Sequence, residues 1–114
     1  ILDKVQFTIV PVSNPDGYEY SHTNDNMWRK SRKPNPSNIA CIGTDLNRNY
    51  DDHHCGEGTS NDTCSHVYCG TAPFDNEETL NLKRFTQQLV GSGEILLSQV
   101  DVHAYGQFWM SPWG

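Results

Sequence analysis

A chain of 114 residues has room for one domain and not for two. Only 35% of it is hydrophobic, and counting its glycines in place of its tyrosines does not close the gap to the roughly 45–50% of ordinary domains, so the core is thin for a free-standing globule. The net charge of -6 argues against a general nucleic-acid surface, and no apolar run reaches membrane-spanning length.

The chain opens on Ile1 and passes directly into Val5-Gln6-Phe7-Thr8-Ile9-Val10, a short β-rich run bounded by Pro11 that predicts a buried strand. Together with its stop at Trp113-Gly114, this start predicts a fragment cut from a larger domain. Asn14-Pro15-Asp16-Gly17 predicts a turn, with Pro fixing φ and Gly permitting a positive one. From position 18 to 52 the pattern is irregular and polar, broken by Pro34 and Pro36. Loops this long are either functional or disordered, and the embedded Trp28, Tyr50 and cysteines favour function. Positive charge clusters at Arg29, Lys30, Arg32 and Lys33, of which Lys30, Arg32 and Lys33 read as a solvated loop.

Thr44-Asp45-Leu46-Asn47-Arg48-Asn49-Tyr50 is dense in Asn and Arg. A planar guanidinium beside an amide makes a ready carboxylate site. Cys41, Cys55, Cys64 and Cys69 follow in one loop-rich stretch, an even count suited to two disulfides in an oxidising compartment. The competing arrangement is a small zinc module using those thiols with His53, His54 or His66, but the chain has no C-x-x-C pair to signal one. Asn61-Asp62-Thr63 is a glycosylation sequon within the same loop.

Asp75 with Glu78 three residues later predicts a helix start, and Leu82, Phe85 and Leu89 recur at helical spacing before Gly91 as a stop. Ile95-Leu96-Leu97-Ser98-Gln99-Val100-Asp101-Val102-His103 then predicts a second central strand. Strand, helix, strand implies an α/β sheet, and His103 falls at a strand end, where such sheets hold ligands.

Asn14-Pro15-Asp16-Gly17-Tyr18, Trp28-Arg29-Lys30-x-Arg32, the run from Gly43 to Tyr50, and Val102-His103-Ala104-Tyr105 resemble, in order and spacing, the zinc carboxypeptidases of the A/B type. The resemblance covers almost the whole chain. It implies a partial carboxypeptidase fold, a mixed β-sheet flanked by helices with long disulfide-held loops. Residues 1–114 would be the central part of a single catalytic domain truncated at both ends. It also implies one Zn2+ site with His103 as a ligand, and Arg29 as the arginine that polarises the scissile carbonyl and stabilises the oxyanion. Asn47 and Arg48 would grip the substrate's C-terminal carboxylate, with Tyr105 and the backbone at Ala104 lining the substrate path. The implied disulfides are Cys41 with Cys64 and Cys55 with Cys69. Peptides or proteins with a free C-terminus are the implied substrates, a propeptide or protein inhibitor the implied partners, and secretion the implied localisation. No nucleic-acid or membrane partner is expected.

These roles are chemically coherent. An exopeptidase must recognise a terminal carboxylate that internal peptide bonds lack, and a second cation helps only where charge grows in the transition state. The sequence also departs from the family. Its one H-x-x-E, His54-Cys55-Gly56-Glu57, lies in the cysteine-rich loop after the Asn-Arg run and none precedes that run, so a zinc site with one protein ligand here binds metal poorly and the isolated chain is expected to be inactive. Ala104 stands where the family usually has Ser, and Asn26 where it often has a further arginine. The second cysteine pair is a B-like feature, while Gly114 at the side-chain pocket is A-like. The alternatives are a non-catalytic carboxypeptidase-like binding protein and an unrelated Cys/His zinc module.

Overall fold

The computed structural model describes residues 3–111, in which the regular elements are α1 (Pro15–Thr23), a 3-10 turn (Leu46–Arg48) and α2 (Glu77–Gly91). Gly114 lies outside the described residues. Among the described residues no helix is long and apolar enough to cross a membrane.

The turn expected at positions 14–17 is the first turn of α1. The same residue types that make a turn also start a helix: Asn14 caps it, its side chain accepting the Gly17 N–H at 3.0 Å, and Pro15 sits in the first turn, where its missing N–H costs nothing. Asp16 lies in the first turn, the end that suits its charge. The Asn14 amide also donates to the Lys30 carbonyl at 3.1 Å and ties α1 to the segment that follows. A Cβ at Gly17 would lie 2.3 Å from Asn14 Nδ2, so the cap leaves no room for a side chain there.

The basic cluster is not a solvated loop throughout. Lys30 is 6% exposed and donates to the Thr63 carbonyl at 2.6 Å, and burial lowers its pKa against the pull of Asp62 and Asp45. The Arg32 guanidinium lies over two rings, 3.6 Å from the centroid of Tyr20 and 4.5 Å from that of Trp28. Of these three, Lys33 alone stays exposed, and it reaches the Asp75 carbonyl. The chain folds back over the aromatic side of α1, which gives these long stems apolar surface to cover.

The two strands expected at 5–10 and 95–103 do not form, and no sheet is present among the described residues. The one β-pairing is an isolated bridge between Ser60 and Tyr68. Both runs are largely open to solvent, with Ile9 at 79% exposure and Val102 at 89%. A strand is held by ladder partners and by burial of its faces, and these runs meet neither among the described residues.

What holds the centre is polar. Ser31, Thr44, Asp45, Asn49, Asn76 and Thr79 are all buried, against only Tyr68 and Cys69 among apolar groups. Every buried side-chain nitrogen and oxygen among the described residues has a hydrogen-bond partner, which is the condition for such a core to be tolerated. Two disulfides, Cys41–Cys64 and Cys55–Cys69, interleave across it and leave no free cysteine, which removes the zinc-module arrangement.

Helix α2 begins one residue later than the sequence predicts. Asn76 occupies the cap position, without a capping side-chain bond, and Asp75 turns inward instead. Its carboxylate accepts from the Thr71 N–H (2.9 Å) and hydroxyl (2.7 Å), and from the amides of Asn49 (2.8 Å) and Asn76 (2.7 Å). Four donors inside the fold outbid the helix N-terminus. Leu82 and Leu89 are half-buried on the inner side, and the helix stops at Gly91, just before Gly93 adopts a φ of +85°.

Candidate active site

The site is assembled from two segments that run side by side. Ser31 N–H donates to the Thr44 carbonyl at 2.8 Å, and its hydroxyl accepts the Thr44 N–H at 3.1 Å. This approach needs glycine next to Thr44. Gly43 has a φ of +85°, and a Cβ there would stand 2.0 Å from the Ser31 carbonyl oxygen. The pairing sets Arg29 beside Asp45.

Asp45 then serves both segments. Its Oδ2 accepts from Arg29 Nε and Nη2, each at 2.9 Å, and its Oδ1 accepts the Asn47 N–H at 3.1 Å, capping the 3-10 turn. The carboxylate is almost fully buried (3% of the side chain exposed), while the Arg29 side chain remains 40% exposed. One anion therefore anchors the inner edge of the guanidinium and leaves the rest facing outward.

The tight turn divides the Asn-Arg-Asn run. Asn47 is exposed and Arg48 half-buried, with Nε donating to the Gly58 carbonyl and Nη1 to the Asn47 carbonyl, both at 3.2 Å. Asn49 faces inward and is fully buried. Its amide nitrogen donates to the carbonyls of Cys69 (2.8 Å) and Ala72 (3.1 Å) and to Asp75, and its oxygen accepts from the Thr79 hydroxyl (2.8 Å) and the Asn76 N–H (3.3 Å). Two residues of the run thus remain available to an anion, and the third builds the frame beneath them.

The second group of expected site residues stands apart. His103 is about half exposed and its Nε2 meets Asp101 Oδ2 at 2.9 Å, Tyr105 is 97% exposed, and the Ala104–Tyr105 peptide bond is cis. No hydrogen bond joins them to Arg29, Asn47 or Arg48 among the described residues. An open groove of about 450 Å³ is lined by Tyr50, Phe74, Lys83, Gln99 and Asp101 among others. There burial, then the Asp101 charge, raises the pKa of Tyr50.

A metal centre does not follow from these residues alone. His103 offers one imidazole, and the one cluster of three metal-type groups among the described residues is His54, Cys55 and Cys69, whose sulfurs are joined in a disulfide. Thiolate, not disulfide sulfur, binds zinc.

Two residues of the site escaped the sequence reading. Asp45 carried a usable signal, since Asp two positions before Asn47 is a cap pattern, but its ion pair spans 16 positions and leaves no local trace. Asn49 was indistinguishable from Asn47 by residue type.

Comparison with known proteins bears on the whole chain. A sequence model described as Zinc carboxypeptidase matches residues 1–114. The chain is 43% identical over 114 residues to a zinc carboxypeptidase of Simulium vittatum, covering 100% of this chain and 36% of that protein. To carboxypeptidase B of Astacus astacus it is 39% identical over 114 residues, again across 100% of this chain and 37% of the relative. It thus spans about a third of the length of these relatives. Its structure resembles bovine thrombin-activatable fibrinolysis inhibitor in complex with tick carboxypeptidase inhibitor, with a TM-score of 0.67 and 46% identity over 71% of this chain and 27% of that one.

Proposed function

We propose, because the chain belongs to the zinc carboxypeptidase family, that it forms the substrate-gripping part of a metallocarboxypeptidase that removes C-terminal residues from peptides and proteins. The observation that carries this reading is the shared carboxylate of Asp45, which ties Arg29 to the turn bearing Asn47 and Arg48.

Arg48 and Asn47 bind the terminal carboxylate, the guanidinium through its paired donors and the amide through one more. Arg29 stabilises the charge that develops on the scissile carbonyl oxygen, a task its outward edge can perform without losing Asp45. Ala104 and Tyr105 line the substrate path. His103 is one ligand of the zinc ion, which supplies Lewis acidity to the complete enzyme, and the remaining ligands belong to other parts of a longer protein. Asp101, hydrogen-bonded to Nε2, would help orient the ring.

On this reading residues 1–114 are the central part of one catalytic domain and are inactive alone. The runs 5–10 and 95–103, largely exposed here, are strands that find their sheet partners in the rest of that domain. The two disulfides favour a secreted protein. A protein inhibitor is a fitting partner, since a relative has been captured with tick carboxypeptidase inhibitor.

The test is to incubate the full-length zinc-loaded protein with a peptide bearing a free C-terminus and with its amidated twin, following products by mass spectrometry. Stepwise loss of single C-terminal residues from the free acid only is the expected result. Internal cleavage, or no cleavage of either peptide, would overturn the proposal.

A further inference from the structure

We propose that Asn61 carries an N-linked oligosaccharide, a modification distinct from the peptidase site. The sequon Asn61-Asp62-Thr63 satisfies the minimal chemistry, with a hydroxyl two residues on and no proline between. Such triplets are common, so the local structure must carry the inference.

Asn61 sits at the tip of the Cys55–Cys69 loop. The loop closes just before it, where Ser60 donates to Val67 (3.0 Å) and accepts from Cys69 (3.1 Å), and a turn begins just after it, where Asp62 accepts the Ser65 N–H (3.0 Å). Asn61 itself is exposed, and neither its backbone groups nor its Nδ2 takes part in a hydrogen bond among the described residues. Its Oδ1 lies 3.7 Å from Cys69 Sγ, which leaves the amide nitrogen as the unengaged end of the side chain. That nitrogen is the atom that takes the sugar.

The other end of the sequon is tied down separately. Thr63 is half-buried, its carbonyl accepting from Lys30 at 2.6 Å and its hydroxyl from Asn38 at 3.3 Å. A glycan on Asn61 therefore disturbs none of the contacts that place the loop. The proposal rests on the reading of the protein as secreted, because the compartment that forms Cys41–Cys64 and Cys55–Cys69 is also where eukaryotic chains are glycosylated. The donor is a lipid-pyrophosphate-linked oligosaccharide. Nδ2 bonds to its anomeric carbon and loses one proton, and the lipid pyrophosphate leaves.

The full-length protein expressed with its own leader in eukaryotic cells is recovered from cells and medium and digested, and the peptide containing Asn61 is compared before and after treatment with an N-glycan amidase in heavy-oxygen water. The expected result is loss of the glycan mass with conversion of Asn61 to labelled Asp. Asn61→Gln and Thr63→Ala abolish the modified peptide, whereas Thr63→Ser retains it. An unmodified Asn61 in protein whose four cysteines are oxidised overturns the glycan proposal alone. Bare Asn61 together with four titratable thiols overturns the secretion reading as well.

Discussion

Arg29 and Asp45, 16 positions apart, meet through a single carboxylate oxygen that accepts both Nε and Nη2 of the guanidinium at 2.9 Å. The other oxygen of Asp45 holds the N–H of Asn47 at 3.1 Å. The orientation of the proposed oxyanion cation and that of the proposed carboxylate grip are thereby set by the same buried group, which makes Asp45 a positioning residue for both.

In the full-length enzyme, Asp45→Asn is expected to lower kcat about 10- to 100-fold with a smaller change in KM, because a donor that swings out of place forfeits transition-state stabilisation. Steady-state kinetics on a small peptide check this. A variant that changes only KM would place Asp45 in ground-state binding.

Replacing Arg48 with Ala gives the opposite emphasis. KM is expected to rise roughly 100-fold for a peptide with a free C-terminus, with the preference over its amidated twin largely gone, since a lost charge-assisted pair is worth a few kcal/mol. Thermal stability changes little, because the side chain of Arg48 holds only two carbonyl oxygens near the surface. Unchanged discrimination between acid and amide contradicts the assignment.

Asn49→Ala, one position further on, is expected to destabilise the protein by about 2–4 kcal/mol, since it strips partners from buried carbonyls, from Asp75 and from Thr79 together. Denaturant melts measure it. A stability equal to the parent's would show that the buried network tolerates the gap.

Asp75 makes stability depend on acid. Burial pushes its pKa up, but the hydrogen bonds from Thr71, Asn49 and Asn76 outweigh this and hold it below the ordinary value of 3.8. A carboxylate whose folded pKa is depressed contributes stability above its unfolded pKa and loses it as pH falls through the folded one. Asp75→Asn is therefore expected to lower stability at neutral pH and to converge with the parent in strong acid. A difference that persists below the folded pKa would mean the loss is steric.

Removing Cys55–Cys69 by paired Ser substitution is expected to cost about 3 kcal/mol, the chain-entropy value for a loop of this size. The same change frees Gly58, whose carbonyl carries Arg48, so KM should rise as well. Melts and kinetics on one preparation separate the two effects.

Helix α2 was legible because Leu82, Phe85 and Leu89 repeat at helical spacing, which depends on neighbours alone. Helix α1 was not, because Asn-Pro-Asp-Gly spells a turn and a helix N-terminus with the same letters. The runs 5–10 and 95–103 show strand propensity, yet a strand also needs a partner, which propensity does not supply. At the site, residue types alone suggested an anion site at Asn47 and Arg48, and the resemblance to the carboxypeptidases named Arg29 and His103 beside them. What joins the first three is a tertiary ion pair and a cap, and no periodicity reports either. The polar core was likewise hidden, since Asn49 and Asn76 look like loop residues until their partners are known.

The interleaving of Cys41–Cys64 with Cys55–Cys69 has a consequence for making the protein. During synthesis Cys41 and Cys55 emerge first and can pair with each other, and Cys55 with Cys64 spans fewer residues than either native bridge. The nearest partner in sequence is thus the wrong one, and the native set is one of three ways to pair four thiols. Correct oxidation calls for repeated thiol exchange until the buried polar frame selects its own crosslinks. A secretory host rich in disulfide isomerase, or refolding in a glutathione buffer, is the natural route to usable material.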